Sequence, residues 1–169
     1  MWRFAGALAL AISVQAGATD TPPAQILFRC SDDTWSVTLY GTGEGRLLLE
    51  TRSTGAGTTG NVASSWDEVR EGYVRGQGGG HQGHLRLFDG FRQIILFAGE
   101  DGELADQPGR TYAGALTVTE RNPQQDFAVT CMADETNTAL LGNVRAWAER
   151  TGAKAPAPEE EGGPFDAWF

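Results

Sequence analysis

The chain has 169 residues, of which 40% are hydrophobic and 21% are charged, a composition typical of a single globular domain and unlike that of a disordered chain. Its 13 Lys and Arg residues stand against 22 Asp and Glu residues, which gives a formal net charge of -9. Because cationic side chains supply most of the affinity for phosphate backbones and for anionic lipid, this charge argues against binding to nucleic acid and against docking on a membrane.

Residues 1–18 have the pattern of a secretory signal peptide. Arg3 precedes an apolar run from Phe4 to Ile12, and small residues follow at Ala16-Gly17-Ala18. The apolar run is shorter than the roughly 20 residues that span a bilayer as a helix. We therefore expect cleavage near Ala18 and a periplasmic or secreted protein with no membrane insertion after cleavage.

The two cysteines, Cys30 and Cys131, each lie in a short apolar segment near one end of the presumed domain. In an oxidising compartment an isolated pair usually forms a disulfide. We predict that this disulfide forms, with Cα atoms about 4.4–6.8 Å apart. It would crosslink a single β domain over residues 25–152.

Short segments of alternating polar and apolar residues between these cysteines predict an all-β fold, a small antiparallel barrel or sandwich of about seven to eight strands. Asp89-Gly90 predicts a hairpin turn. The Gly- and Thr-rich segment 53–65 predicts a flexible loop, and segment 66–75 fits a short helix or an edge strand. The predicted strands are 25–30, 34–40, 46–52, 84–88, 92–98, 112–120 and 126–132.

One amphipathic helix is predicted over residues 138–151, with Asn137 or Thr138 as its cap and Gly152 at its end. Its apolar stripe, which we expect to pack on the sheet, comprises Leu140, Val144, Trp147 and Ala148.

Residues 153–169 predict a flexible, disordered acidic tail, since they are rich in Pro and Glu and lack large apolar residues before Phe165. The tail ends in an aromatic motif of Phe165, Trp168 and Phe169. Aromatic side chains of this kind either pack on their own domain or anchor a partner protein. The sequence leaves both alternatives open.

No catalytic residue is predicted, because no serine triad, nucleophile motif or phosphate-binding loop is present. His81 and His84 are weak candidates for metal ligands, but a glycine-rich segment surrounds them and we expect a solvated loop without a metal or other cofactor. Carboxylates cluster at Asp32-Asp33, Asp67-Glu68 and Glu100-Asp101-Glu103, and a pair across a cleft would suit a hydrolase.

These features favour an exported, non-enzymatic protein-binding or accessory module that uses an acidic surface and its aromatic tail. The charge favours a cationic protein partner. In layout, with one cysteine near each end of a small secreted β domain, the chain resembles the small periplasmic inhibitors of c-type lysozyme. The resemblance implies an inhibitor of a cationic cell-wall hydrolase as an alternative function, and a carboxylate-dependent hydrolase is the second alternative.

Overall fold

The computed structural model describes residues 24–55, 59–64, 69–89, 92–103, 108–119 and 128–158. Strands dominate, which confirms the predicted β-rich fold. The first sheet contains β1 (Gln25–Ser31), β2 (Trp35–Gly41), β3 (Leu47–Ser53) and β4 (Thr59–Ser64). The second contains β5 (Arg70–Arg75), β6 (His81–Asp89), β7 (Arg92–Glu100), β8 (Thr111–Thr119), β9 (Ala128–Cys131) and β10 (Ala157–Pro158). Two helices, α1 (Glu135–Thr138) and α2 (Leu140–Thr151), precede β10.

The two sheets have simple strand orders. The four-stranded sheet runs β1-β2-β3-β4, and the six-stranded sheet runs β10-β5-β6-β7-β8-β9. All neighbours are antiparallel except β10, which pairs parallel to β5. Within the described ranges no ladder joins one sheet to the other. The arrangement is therefore sandwich-like, and it is not a closed barrel.

The core lies between the sheets because alternate residues of each strand point to the same side. Leu39 and Leu49 from the first sheet and Leu85 and Leu96 from the second are all fully buried in one hydrophobic cluster. We call the side of each sheet that carries these residues its core face and the opposite side its outer face.

The predicted disulfide is confirmed: Cys30 in β1 and Cys131 in β9 are bonded, with Cα atoms 5.4 Å apart. Since β1 is an edge of the first sheet and β9 an edge of the second, the bond fastens the two sheets together. A disulfide suits an oxidising, extracytoplasmic compartment.

The buried apolar stripe and the C-terminal end of the predicted helix are confirmed, but its N-terminal start is not. Leu140, Val144, Trp147 and Ala148 are all buried, and Gly152 closes α2 with a left-handed φ of 70°. The segment begins earlier, at α1, where the Asp134 side chain accepts hydrogen bonds from the backbone N–H groups of Thr136 and Asn137. The predicted single helix with an Asn137 or Thr138 cap is thus wrong, since the acidic cap three residues earlier starts a separate short helix and Ala139 separates the two.

Two further segments differ from their predictions. Strand β4 lies within the predicted loop 53–65 and pairs with β3 along its length. The start of the predicted disordered tail is ordered, because β10 pairs with β5 and Pro156 is buried. In both cases backbone hydrogen bonds form a ladder whatever the side chains, so a composition rich in Gly, Thr or Pro concealed the strand.

The predicted signal peptide, residues 1–18, and the aromatic motif of Phe165, Trp168 and Phe169 lie outside the described residues. None of the helices in the part that the structure describes is long and apolar enough to cross a membrane.

Candidate functional site

A pocket of about 340 Å³ opens beneath the junction of α1 and α2, at the ends of β6 and β7. Small residues create this space. Gly83 and Ala98 lie side by side on the core face, whereas the next row into the core holds Leu85 beside Leu96. The missing side-chain volume at Gly83 and Ala98 leaves a cavity where the neighbouring row is filled. We call this cavity the junction pocket.

The first turn of α2 closes the junction pocket on the side away from the sheet. Leu140 and Leu141 line it, and a Cβ atom at Gly83 would lie 2.9 Å from Cδ1 of Leu141. Glycine at this position therefore lets the helix approach β6. Asn143 holds α2 in place, since its side-chain amide donates to the carbonyl oxygens of Leu27 at 3.1 Å and of Thr136 at 3.0 Å.

An aromatic pair stands at the mouth of the pocket. The rings of Tyr73 and His81 are stacked, with centroids 5.9 Å apart and planes inclined by 23°. Tyr73 is 57% exposed, and among the described residues only it and Met132 are large hydrophobic side chains with such exposure. An exposed aromatic ring held by a neighbouring ring is a rigid contact surface for another molecule.

A carboxylate lies at this mouth, and two more follow it in the chain. Glu100 lines the pocket and lies in register with His81 on the adjacent strand, and Asp101 and Glu103 follow it in the exposed loop. On the outer face of the same sheet, burial, and the negative charge of Asp101 as the lesser cause, raise the pKa of Tyr112 above its usual range. Glu100 thus places a negative charge at the pocket mouth.

Further charged residues are found at the same end of the six-stranded sheet. Asp134 and Glu135 at the start of α1 are exposed, as are Arg75 at the end of β5 and Arg110 just before β8. Acidic residues therefore outnumber basic ones among the described residues of this end, which we call the acidic end.

The carboxylate of Glu71 has a structural role, because it binds a side chain of α2. Its Oε1 accepts a hydrogen bond of 2.7 Å from the Arg145 guanidinium on α2, and its side chain is 17% exposed. This hydrogen bond, and the negative charge of Glu71 as the lesser cause, raise the pKa of Arg145. The pair fastens α2 to β5, and the guanidinium neutralises the carboxylate, so Glu71 adds little to the potential at the acidic end.

The predicted loop at His81 and His84 is wrong, because both residues belong to β6. Residues three apart in a strand point to opposite faces. His81 is exposed at the pocket mouth, while His84 is 2% exposed on the outer face. The two imidazoles therefore cannot share a metal ion, and no group of three His, Cys, Asp or Glu side chains suited to a metal is present among the described residues.

The carboxylate clusters do not converge in the described part of the chain. The side chain of Asp32 shapes the β1–β2 turn by accepting hydrogen bonds from the N–H groups of Thr34 and Trp35. The pair Asp67-Glu68 lies outside the described residues, and Glu100 is exposed at the acidic end.

A second depression, of about 270 Å³, lies on the outer face of the four-stranded sheet. Its carboxylate, Glu50, binds the Arg52 guanidinium at 2.7 Å and lies 3.4 Å from the Tyr40 hydroxyl. Arg29 also lines this depression, so its net charge is positive. It therefore differs in sign from the acidic end and does not suit a cationic partner.

Compared with known proteins, the chain matches no family model, no curated protein and no solved structure. The site is thus described from its own geometry. The sequence does not reveal the pocket, because the small residues that form it come from strands that become neighbours only in the sheet.

Proposed function

We propose that the protein is an exported binding module that engages a cationic protein through its acidic end. The observation that carries this proposal is the position of the exposed Tyr73 ring, stacked on His81 at a pocket mouth lined by Glu100. An aromatic anchor at the centre of an interface with charged residues around it is a common arrangement in protein recognition. The disulfide supports a location outside the cytoplasm, and we propose the periplasm or the extracellular medium.

The junction pocket suits a long basic side chain from the partner. Ala98 and Leu141 supply an apolar wall for the methylene groups of a Lys or Arg side chain, and Glu100 supplies a carboxylate for its charged head. Tyr73 offers the face of its ring to the same cation.

Binding to a basic protein tests this function, and c-type lysozyme is the probe. We expect a complex at low ionic strength that weakens as salt is added, because charges beyond about 10 Å are screened at 0.1 M salt. Tyr73→Ala and Glu100→Gln should each weaken it by tenfold or more, about 1.4 kcal/mol. Absence of binding at micromolar protein in low salt would contradict the proposed partner class.

Glu44→Gln is the matched control, since it removes the same charge from an exposed turn near the opposite end of α2. A Cβ atom at the neighbouring Gly45 would lie 3.4 Å from Cβ of Ala153, beyond that end of the helix, whereas the pocket contacts the first turn of α2. Twelve helical residues span about 18 Å. Equal loss of binding in the control and in the pocket variants would show that overall charge, and not the acidic end, determines the interaction.

Inhibition of a cationic cell-wall hydrolase is the more specific form of this function, and the same acidic end favours it. A cell-wall lysis assay with c-type lysozyme separates the two. Slowed lysis that Tyr73→Ala relieves supports inhibition, while binding without any change in the lysis rate supports an accessory module that leaves the enzyme active.

A further inference from the structure

The outer face of the six-stranded sheet is buried, although it points away from the core. Gln82, His84, Arg86 and Ile95 on this face are only 3%, 2%, 3% and 0% exposed. Ile95 is separate from the hydrophobic cluster between the sheets. Polar residues on a sheet face without a covering layer normally contact water, so this face requires a cover.

Large rings lie flat across this face because glycines stand beside them. A Cβ atom at Gly72 would be 2.2 Å from the His84 ring, and one at Gly114 would be 2.4 Å from the Phe97 ring. Each ring therefore fills the space over the neighbouring strand. The result is a level surface with Ile95 and Phe97 at its centre, which suits an extended segment with aromatic side chains.

The same face carries two guanidinium groups in direct register. Arg70 on β5 lies opposite Arg86 on β6, and Arg86 also donates a hydrogen bond to Oε1 of Gln93. Two guanidinium groups side by side give this part of the face a basic character, which suits contact with an acidic segment.

The course of the chain brings such a segment to this position. In β10, Ala157 pairs with Arg70 and Pro158 pairs with Glu71. The next residues are Glu159, Glu160 and Glu161, and the 11 residues after Pro158 end in Phe165-Asp-Ala-Trp168-Phe169. Eleven extended residues reach about 36 Å, whereas four strand spacings, from β10 to β8, measure about 19 Å.

We propose that residues 159–169 of this chain dock on the outer face of their own six-stranded sheet. The three glutamates lie near the basic pair Arg70 and Arg86, and the aromatic side chains cover Ile95 and Phe97. The proposal is independent of the proposed function, because the junction pocket lies on the core face of the same sheet.

Chemical modification of histidine with diethylpyrocarbonate tests this docking, because the chain has only two histidines. His81 is exposed and serves as an internal control, whereas His84 is buried on the face in question. In the intact protein we expect mass spectrometry to find the modification at His81 and not at His84. Deletion of residues 159–169 should make His84 react at a rate comparable to that of His81.

If the truncated chain fails to fold, two full-length variants with substitutions in the tail test the same proposal. Replacement of Phe165, Trp168 and Phe169 by Ala should expose His84, and replacement of the three glutamates by Gln should expose it in part. An unreactive His84 in the folded truncated chain, or in both variants, would overturn the proposal. Protection of His84 that disappears on dilution of the intact protein would also overturn it, since the tail would then cover a second copy.

Discussion

The indole ring of Trp147 lies directly across the backbone of Gly41. A Cβ atom at Gly41 would be 2.4 Å from Nε1 and Cε2 of that ring, a distance that no real contact allows. The same Nε1 donates a hydrogen bond of 3.1 Å to the carbonyl oxygen of Thr42. The absence of a side chain at Gly41 thus allows the buried face of α2 to pack closely against the end of β2.

Replacement of Gly41 by Ala is expected to destabilise the protein. The added methyl group must displace the Trp147 ring, and overpacking of this kind costs about 1–3 kcal/mol. Urea unfolding followed by circular dichroism measures the change. Gly142→Ala is the control, because no atom lies within 4 Å of a Cβ there and Ala favours a helix interior. An equal loss in both variants would contradict the role of the indole contact.

The disulfide between Cys30 and Cys131 closes a loop with a sequence separation of 101. Loops of about this length correspond to roughly 4.7 kcal/mol in the chain-entropy treatment. We expect the double variant Cys30→Ala, Cys131→Ala to lose most of that stability in urea unfolding. The intact protein with a reducing agent should behave alike, and an unchanged midpoint in either sample would show that the sheets associate without the bond.

The strands that could be predicted are those whose own residues alternate. In segment 34–40, Val37 and Leu39 are fully buried as the pattern requires. The hairpin expected at Asp89-Gly90 is confirmed by the pairing of Asp89 with Arg92. In such segments the local pattern and the final packing agree, so the sequence alone is sufficient.

Features that depend on neighbouring strands could not be predicted in this way. The glycines before His81 indicated a loop, but β6 extends to that residue because it pairs with Glu100 on β7. The junction pocket arises from Gly83 and Ala98, which are 15 residues apart in sequence and become neighbours only through the β6–β7 register. A residue pattern within one segment carries no information on such pairings.

Asn137 connects the short helix α1 to the sheets. It is 1% exposed, its Oδ1 accepts a hydrogen bond of 2.8 Å from the N–H of Asp134, and its amide donates to the carbonyl oxygens of Met132 at 3.0 Å and Arg29 at 3.4 Å. Asn137→Ala removes all three hydrogen bonds, at a cost of about 1–3 kcal/mol. Thermal or urea unfolding measures it.

The exposed Glu135 in the same helix provides the comparison for Asn137. Glu135→Ala should change the stability by less than about 0.5 kcal/mol, as exposed substitutions usually do. If the Asn137 and Glu135 variants were equally stable, the amide contacts would contribute nothing to the attachment of α1.

The stability of the protein should fall at alkaline pH through Tyr112. Burial, and the charge of Asp101 as the lesser cause, raise the pKa of Tyr112 above its ordinary value of 10.0. Since the folded state holds this proton more tightly than the unfolded state, the contribution of Tyr112 is complete below pH 10 and is lost as the pH rises through the higher folded pKa. Its hydroxyl also donates a hydrogen bond of 3.1 Å to Oε1 of Gln82.

The free energy of unfolding of the intact protein and of Tyr112→Phe, measured between about pH 9 and pH 11, isolates this effect. Phenylalanine cannot ionise, so the stability of the variant should fall less steeply with pH, although the lost hydrogen bond makes it less stable near neutrality. Asp101→Asn should move the Tyr112 pKa part of the way back toward 10.0, because it removes the lesser cause and leaves burial unchanged. Parallel curves for the intact protein and Tyr112→Phe would mean that ionisation of Tyr112 is not coupled to unfolding.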